Sequence, residues 1–249
     1  MIGFCRTAAV SGLAAGATRA VYEGLRRHRD ERWERTNHAG RTVDLYAGPA
    51  TTVGAVLGAL SAGAGARERG AAAVAGLVAG ACGAYDDVNG DHRRGFRAHL
   101  GALRDGEVTS GAVKLFGIGA AGLVAGALLK ERPVDKALAG VVIAGTAHLV
   151  NLVDVRPGRA VLTVLAAGLP GLRRGSLAAA PMGAAAAVAA ADLGERTMLG
   201  DTGAHALGAV LGTAFAAAGG RAGLVVHAAG LVAAAAYGDT VSRLAGSPA

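Results

Sequence analysis

The chain has 249 residues, of which 52% are hydrophobic and only 17% are charged. This charged fraction is low for a water-soluble globule, in which about 25% of residues are charged, and the mean hydropathy is +0.40. A chain this apolar would not stay solvated as a disordered coil either. The formal net charge is +7. Because apolar runs extend from end to end, we predict one membrane-embedded domain over residues 1–249.

Small residues dominate these apolar runs. The sequence has 41 glycines, and aromatic residues make up only 4%, so a soluble Ala/Gly-rich α/β protein is an alternative. Small residues are useful in membrane helices, because they let backbones approach closely where no hydrophobic effect drives helices together. Segments 117–129 and 178–191 are apolar on every face, which favours spanning or buried helices over surface helices.

Division of the sequence at its charge clusters gives about nine apolar segments of roughly spanning length. We therefore predict an all-α fold, a polytopic integral membrane helical bundle with about nine transmembrane helices. A basic cluster follows the first segment rather than preceding it, opposite to a signal peptide, so that segment is predicted to be a retained helix. The predicted segments are 5–22, 45–66, 71–85, 111–129, 136–153, 160–172, 177–193, 203–219 and 222–240.

The Lys and Arg residues assign a side to the loops. With nine crossings, one side receives 14 Lys and Arg residues in the loops or at segment ends and the other side receives 9, with Arg19 and Lys114 left unassigned. The positive-inside rule makes the richer side cytoplasmic, so the predicted location is the plasma membrane. Nucleic-acid binding is not expected, because the Arg-rich run 26–35 is embedded between spans. The loops on the richer side are 23–44, 86–110, 154–159, 194–202 and the segment after 240.

Three acidic motifs lie at the predicted cytoplasmic ends of apolar segments. Asp86 and Asp87 close the third segment, Asn151 and Asp154 close the fifth, and Asp201 opens the eighth. Acidic groups are costly at membrane depth, and carboxylates gathered at one face suit a hard divalent cation with phosphate oxygens. A carboxylate that does not bind the metal can act as a general base. The sequence therefore predicts a site for Mg²⁺ and a phosphate substrate.

Each motif also has a structural explanation. Asp86 and Asp87 would form a solvated helix end, and Asp201 would be the N-cap of the following helix. Asn151 and Asp154 would be ordinary polar residues at a helix end. Their common position at one predicted face favours a functional site.

Two further residues are candidates for contacts with phosphate. His205 lies one turn from Asp201 and either contacts a phosphate or is a packed or capping histidine. Arg93 lies in the longest loop on the predicted cytoplasmic side and either binds a diphosphate or contributes surface charge.

The order of these motifs resembles that of the polyprenyl-phosphate N-acetylhexosamine-1-phosphate transferases. This superfamily includes the phospho-MurNAc-pentapeptide translocase and the undecaprenyl-phosphate GlcNAc-1-phosphate transferase. The run from Gly200 to Gly203 is the most specific match, and Asn37 with Gly40 and Gly48 is a weak one. The matching segments are 83–87, 111–117, 151–154 and 198–212.

The resemblance implies transfer of a sugar-1-phosphate from a nucleotide-sugar of the UDP type to undecaprenyl phosphate, with Mg²⁺ as cofactor. It implies that Asp201 binds the metal and that Asp86 and Asp87 deprotonate or orient the lipid phosphate. Direct transfer and a phospho-aspartyl intermediate both stay open, as does a homodimer. The positions carried over for substrate contact or for completing the polar cluster are Lys114, Asn37, Asn151 and Asp154.

The sequence departs from the family at two points. Pro157 stands where members commonly carry a second Asp, three positions after the one that matches Asp154, and a His-rich late loop has no counterpart in the sequence. These departures suggest an alternative, a catalytically silent relative that binds lipid phosphate or a cell-envelope partner. A CDP-alcohol phosphotransferase, faintly resembled over residues 154–160, and a transporter are further alternatives.

Overall fold

The structure is a computed structural model that describes residues 2–90, 101–102, 104, 106–107 and 109–246. Over these ranges the chain is almost entirely helical, which confirms the predicted all-helical class. Ten α-helices have both of their ends there. They are α1 (Ile2–Arg26), α2 (Ala47–Ser61), α3 (Ala66–Asn89), α4 (Ser110–Leu129), α5 (Pro133–Leu152), α6 (Arg159–Leu172), α7 (Ala179–Leu193), α8 (Gly200–Ala218), α9 (Arg221–Ala236) and α10 (Gly238–Gly246).

Helices α1 to α9 coincide with the nine predicted apolar segments, and α10 results from a break in the last one. The sequence predicts one segment over 222–240, but α9 ends at Ala236 and α10 runs at 81° to it. The Ser242 hydroxyl donates a hydrogen bond to the Leu152 carbonyl at 2.8 Å. The bend therefore lays α10 against the end of α5.

Three of the described helices, α3, α4 and α5, are long and apolar enough to cross a membrane, and α9 with α10 is a fourth if the bent pair counts as one span. Helices α2, α6 and α7 are apolar but have only 15, 14 and 15 residues. At 1.5 Å per residue they are about 21–23 Å long, shorter than a hydrocarbon core of about 30 Å. Several helices therefore suit a membrane, and nine full crossings do not follow from helix length alone.

Helix α8 forms the centre of the bundle and packs against α2, α3, α5 and α6. Its residues from Thr202 to Ala214 are all buried. A Cβ atom at Gly208 would lie 2.6 Å from Ala147 Cα, and one at Gly212 would lie 2.9 Å from Ile143 Cα. These glycines let the α8 and α5 backbones touch, as the composition predicts for small-residue membrane helices.

Large apolar side chains point away from the bundle. Phe116 and Leu123 on α4 are 55% and 54% exposed, and Val226 on α9 is 71% exposed. Exposed apolar side chains that form a patch mark a surface in contact with a membrane or another molecule. Together with the long apolar helices, it supports association with a membrane.

The links between helices meet in two groups at opposite ends of the bundle. At one end, Gly63 N–H donates to Ser176 Oγ at 2.9 Å, and Lys130 Nζ donates to the Gly219 carbonyl at 2.8 Å. At the other end, the links before α2 and before α8 are joined, because Thr197 Oγ1 donates to Asp44 Oδ1 at 2.7 Å. The second group holds the three acidic motifs, so we call it the acidic end.

A small β-hairpin at the acidic end departs from the purely helical prediction. Strands β1 (Glu34–Thr36) and β2 (Thr42–Asp44) pair antiparallel, after a single 3₁₀ turn at Glu31–Trp33. The hairpin is fixed to the link before α8, since Met198 N–H donates to the Asp44 carbonyl at 2.9 Å. It therefore covers the loop that leads to Asp201.

Candidate functional site

The N-terminus of α8 lies directly against the C-terminal end of α3. Helix α8 begins at Gly200, whose φ of +60° is in the left-handed region that glycine adopts without strain. A Cβ atom at Gly83 on α3 would collide with the Asp201 carbonyl, and one at Gly200 would lie 2.8 Å from a carboxylate oxygen of Asp87. Glycine at both positions therefore permits the close approach of the two helix ends.

Asp87 caps α8 from the neighbouring helix. Its Oδ1 accepts a hydrogen bond from Asp201 N–H at 3.0 Å, and its Oδ2 accepts from Thr202 N–H at 2.9 Å and from Thr202 Oγ1 at 2.6 Å. These N–H groups have no partner inside the helix, and a negative charge there also favours the helix dipole. The alternative in which Asp201 itself caps α8 is wrong, because Asp201 lies in the first turn.

Lys114 lies between Asp86 and Asp201. Its Nζ donates to Asp86 Oδ2 at 2.7 Å and also to Asp201 Oδ2. The three side chains come from α4, α3 and α8, and each is 21–23% exposed. One ammonium group thus joins three helix ends and neutralises part of the charge of two accessible carboxylates.

His205 lies on α8 one turn after Asp201. Its Nδ1 is 2.8 Å from the Asp201 carbonyl oxygen, and the residue is only 2% exposed. The ring is therefore inside the bundle and bonded to its own helix, and its contact with a phosphate stays a prediction.

Asp154 lies in the link between α5 and α6. Its N–H donates to the Asn151 carbonyl at 3.1 Å, which closes the end of α5. Burial, together with the charges of Asp192, Asp201 and Asp87, raises the pKa of Asp154 well above its usual range. Asp154 therefore belongs to the same cluster of negative charge as the Lys114 site.

Asp192, at the end of α7, fixes the Asp154 link. Its Oδ2 accepts a hydrogen bond from Gly158 N–H at 2.6 Å, and Gly158 has a left-handed φ of +80°. Asp192 is 3% exposed, and a carboxylate so buried needs hydrogen-bond partners. Its position at the end of an apolar segment is the one sequence signal that could have identified it.

Asn37, in the hairpin turn, contacts the link that precedes α8. Its Nδ2 donates to Glu195 Oε2 at 2.7 Å, while its Oδ1 accepts from two N–H groups of its own turn. Glu195 has a φ of +52°, which is unusual for a residue other than glycine. Asn37, Glu195, Asp154 and Asp192 all line one cavity of about 60 Å³. The structure thus places Asn37 beside Asp154 rather than beside Lys114.

The donor set of the Lys114 site fits a magnesium ion that is shared with a phosphate. Among the residues that the structure describes, no group of three or more His, Cys, Asp or Glu side chains forms a metal cage. Mg²⁺ commonly uses only one or two carboxylates and completes its shell with phosphate oxygens and water. Asp86 and Asp201 supply two such carboxylates, both of them partly exposed.

Most of the residues predicted from sequence lie at the acidic end. Asp86, Asp87, Lys114 and Asp201 are in direct contact with one another or with the same helix terminus, while Asn151, Asp154 and Asn37 lie at the adjacent links. Arg93 lies outside the described residues. A larger cavity, of about 270 Å³, is at the opposite end beside Glu68 and Arg174, and none of the predicted residues lines it.

Three residues that hold the site together have no role predicted from the sequence, namely Thr202, Asp192 and Glu195. Thr202 belongs to the Gly-Asp-Thr-Gly motif, which was a usable signal. Glu195 had none, because its partner Asn37 is 158 positions away in the sequence.

Comparison with models of known protein families gives no match to this chain, and comparison with curated protein sequences gives none either.

Proposed function

We propose that the protein is a phosphoglycosyl transferase of the polyprenyl-phosphate type. It would transfer a sugar-1-phosphate from a nucleotide-sugar to undecaprenyl phosphate, in the presence of Mg²⁺. The observation that carries the proposal is the contact of Lys114 with both Asp86 and Asp201. These residues belong to separate motifs whose order resembles that family, and their chemistry suits a cation and phosphate oxygens.

The reaction needs charge neutralisation and alignment more than an unusual nucleophile. A bond forms between an oxygen of the lipid phosphate and the sugar-bearing phosphorus, and the bond from that phosphorus to the nucleoside monophosphate breaks. Asp86 and Asp201 would hold Mg²⁺, which when bound neutralises phosphate charge. Lys114 would bind a phosphate oxygen through its ammonium group.

The two adjacent acids have different roles in this proposal. Both oxygens of Asp87 are used by the backbone and hydroxyl donors of α8, so Asp87 positions Asp201. The Asp86 side chain is hydrogen-bonded to Lys114, Asp201 and Ser110 and is partly exposed, so Asp86 is the carboxylate that would orient the lipid phosphate through the shared cation. Asp154 and Asn151 would complete the site from the neighbouring link.

We further propose that α1 to α9 cross the plasma membrane, with the acidic end in the cytoplasm. The two groups of links at opposite ends support this arrangement, as does the excess of Lys and Arg in the loops of the acidic end, 14 against 9. The shorter helices would be accommodated by local thinning of the bilayer or by burial against their neighbours.

The test is turnover by the purified chain in nanodiscs that contain undecaprenyl phosphate, with Mg²⁺ and a panel of UDP-sugars. We expect release of nucleoside monophosphate with at least one donor, and a lipid-linked sugar diphosphate detectable by mass spectrometry. Asp201→Ala is expected to abolish release, by about 10³-fold or more, because it removes a group that would stabilise transition-state charge.

Asp135→Ala is the matched control. Asp135 also lies in the first turn of a helix and pairs with Arg221 at 2.7 Å, but it is at the opposite end of the bundle. We expect its turnover to stay near that of the wild type. Absence of release with every donor, or release unaffected by Asp201→Ala, contradicts the proposal.

The second candidate is a catalytically silent relative that binds a lipid phosphate. Pro157 lines the cavity beside Asp154 at the position where the resembled family commonly carries a second Asp. The absence of that carboxylate favours the silent relative. Asp201-dependent binding of undecaprenyl phosphate without formation of a lipid-linked product would select the silent relative over the enzyme.

A further inference from the structure

The Lys114 ammonium group occupies the position between Asp86 Oδ2 and Asp201 Oδ2. Among the described residues, no other Lys or Arg forms an ion pair with either carboxylate. Two neighbouring carboxylates repel each other unless a cation or a shared proton lies between them. Lys114 is therefore the counter-ion that stabilises this pair in the metal-free protein.

A divalent cation held between the facing oxygens of Asp86 and Asp201 would take the place of the ammonium group. Mg²⁺ binds oxygen at about 2.0–2.1 Å and requires near-octahedral geometry, which leaves no place for an ammonium group between the same pair of atoms. The cation and Lys114 Nζ therefore compete for these oxygens. All three side chains keep 21–23% of their surface exposed, so the cation can enter without opening the bundle.

Once displaced, the ammonium group has a defined alternative partner. The lysine side chain is a flexible four-carbon stem with a compact charge, and Lys114 is held near the site by α4, whose N-terminus is capped by Thr109 Oγ1 accepting from Ala112 N–H at 3.1 Å. Phosphate oxygens that bind the cation would lie within reach of the released charge. Binding of the phosphate would in turn keep Lys114 away from the carboxylates.

From this geometry we infer that Lys114 is an exchangeable counter-ion: it takes the place of the divalent cation between Asp86 and Asp201 in the metal-free protein and moves to the phosphate ligand when the cation binds. The inference rests on the proposed function, because it takes these carboxylates as the metal site. It makes cation and phosphate binding cooperative, and the coupling is reciprocal by thermodynamic linkage.

The test uses the purified full-length chain in detergent micelles, stripped of metal by a chelator that is then removed. Mn²⁺ replaces Mg²⁺ as the probe, and the electron paramagnetic resonance signal of free Mn²⁺ reports its dissociation constant with and without inorganic phosphate. The variants are Lys114→Met, Lys114→Gln and Asp201→Asn. Lys130→Met is the matched control, because Lys130 Nζ donates to the Gly219 carbonyl at the opposite end of the bundle.

We expect Lys114→Met to bind Mn²⁺ about tenfold more tightly than the wild type, a factor typical of coupled sites. Inorganic phosphate is expected to tighten Mn²⁺ binding more in the wild type than in the variant, because only the wild type has an ammonium group to transfer. Lys114→Gln should follow Lys114→Met, so that a folding defect of one variant leaves the other to decide. Lys130→Met should bind Mn²⁺ like the wild type, and Asp201→Asn should lose the site.

Two results overturn the inference, and they differ in what they say of the proposed function. If Asp201→Asn loses Mn²⁺ binding but both Lys114 variants bind it as well as or more weakly than the wild type, Lys114 is a fixed link between helices and the metal site stands. If the wild type shows no Asp201-dependent Mn²⁺ binding, the metal site of the proposed function fails as well.

Discussion

Asp87 accepts three hydrogen bonds from the first turn of α8, two from backbone N–H groups and one from the Thr202 hydroxyl. In Asp87→Asn, one of the two acceptor oxygens becomes an NH₂ group that faces these donors, and the charge at the helix terminus is lost. We expect the free energy of unfolding to fall by about 1–3 kcal/mol, the usual cost of an unsatisfied buried group. Reversible unfolding in mixed micelles measures the change.

The control for Asp87→Asn is Glu23→Gln, which removes one charge from an exposed pair with Arg19 at 2.9 Å on α1. Exposed pairs of this kind contribute only about 0.3–0.5 kcal/mol. A loss of stability in Asp87→Asn no larger than that of Glu23→Gln would contradict the capping role.

Asp154 gives a prediction about pH. Burial and the charges of Asp192, Asp201 and Asp87 raise its pKa in the folded protein, so folding favours the protonated form. The stability that this group contributes is complete below the pKa of the unfolded chain and is lost as the pH rises through the folded pKa. Asn imitates the protonated form. We therefore expect Asp154→Asn to unfold at a higher temperature than the wild type at pH 8, without divalent cations.

The difference between Asp154→Asn and the wild type is expected to shrink as the pH falls toward the usual carboxyl range, because Asp154 becomes neutral in both states. Thermal unfolding between pH 4 and pH 8 in one detergent measures it. Equal destabilisation by Asp154→Asn at every pH would show that Asp154 is held by a contact that requires its charge.

The structure brings Asp86, Asp87 and Asp201 together at one end of the bundle, and their individual roles do not follow from the sequence. Asp86, Asp87 and Asp201 end or begin apolar runs, and the cost of burying carboxylates made them visible. The different roles proposed for Asp86 and Asp87 do not follow from the sequence. They depend on which of the two carboxylates accepts hydrogen bonds from the first turn of α8. Asp192 and Glu195 act through Gly158 and Asn37, which are distant in the sequence.

Among the helices, the crossing of α8 and α5 gives the sharpest test of packing. A Cβ atom at Gly208 would lie 2.6 Å from Ala147 Cα and 2.7 Å from the Thr146 carbonyl oxygen, and backbone atoms cannot move aside as a side chain can. We expect Gly208→Ala to lower the free energy of unfolding by about 1–3 kcal/mol through overpacking. The unfolding transition in a single detergent measures the loss.

Gly230→Ala is the matched control on α9, where an added Cβ atom would meet nothing within 4 Å. The same substitution there removes only backbone freedom of the unfolded chain and is expected to stabilise the protein by about 0.4–1 kcal/mol. Opposite signs at the two glycines are the expected result. Equal effects would mean that α8 and α5 are not in backbone contact.

Apolar runs and charge clusters were sufficient to predict helices α1 to α9, because each run is apolar over most of its length and has charged residues near its ends. The 81° bend after Ala236 was not predictable in this way, since residues 222–240 are apolar throughout much of their length. The hairpin of β1 and β2 was missed for a related reason. Its strands have three residues each, and their position depends on Asp44 and Thr197, which are 153 positions apart.

The two ends of the bundle carry different charged groups. One end carries Asp86, Asp154 and Asp201 near the hairpin of β1 and β2, and the other carries ion pairs between adjacent links, such as Arg67 with Glu131 at 2.8 Å. The 14 Lys and Arg residues assigned to the acidic end, against 9 at the other, support the proposed cytoplasmic orientation. The proposed cytoplasmic site therefore depends on the orientation of the chain in the membrane.

Orientation is testable with single cysteines. After Cys5→Ser and Cys82→Ala, one variant adds Ala39→Cys in the exposed turn of the hairpin, and another adds Arg132→Cys in the exposed link between α4 and α5. A membrane-impermeant maleimide is applied to spheroplasts before or after lysis. If the acidic end faces the cytoplasm as proposed, Arg132→Cys reacts in intact spheroplasts and Ala39→Cys reacts only after lysis. The reverse pattern would place the carboxylates on the outer side of the membrane, away from the cytoplasmic nucleotide-sugars. That result would contradict the proposed function.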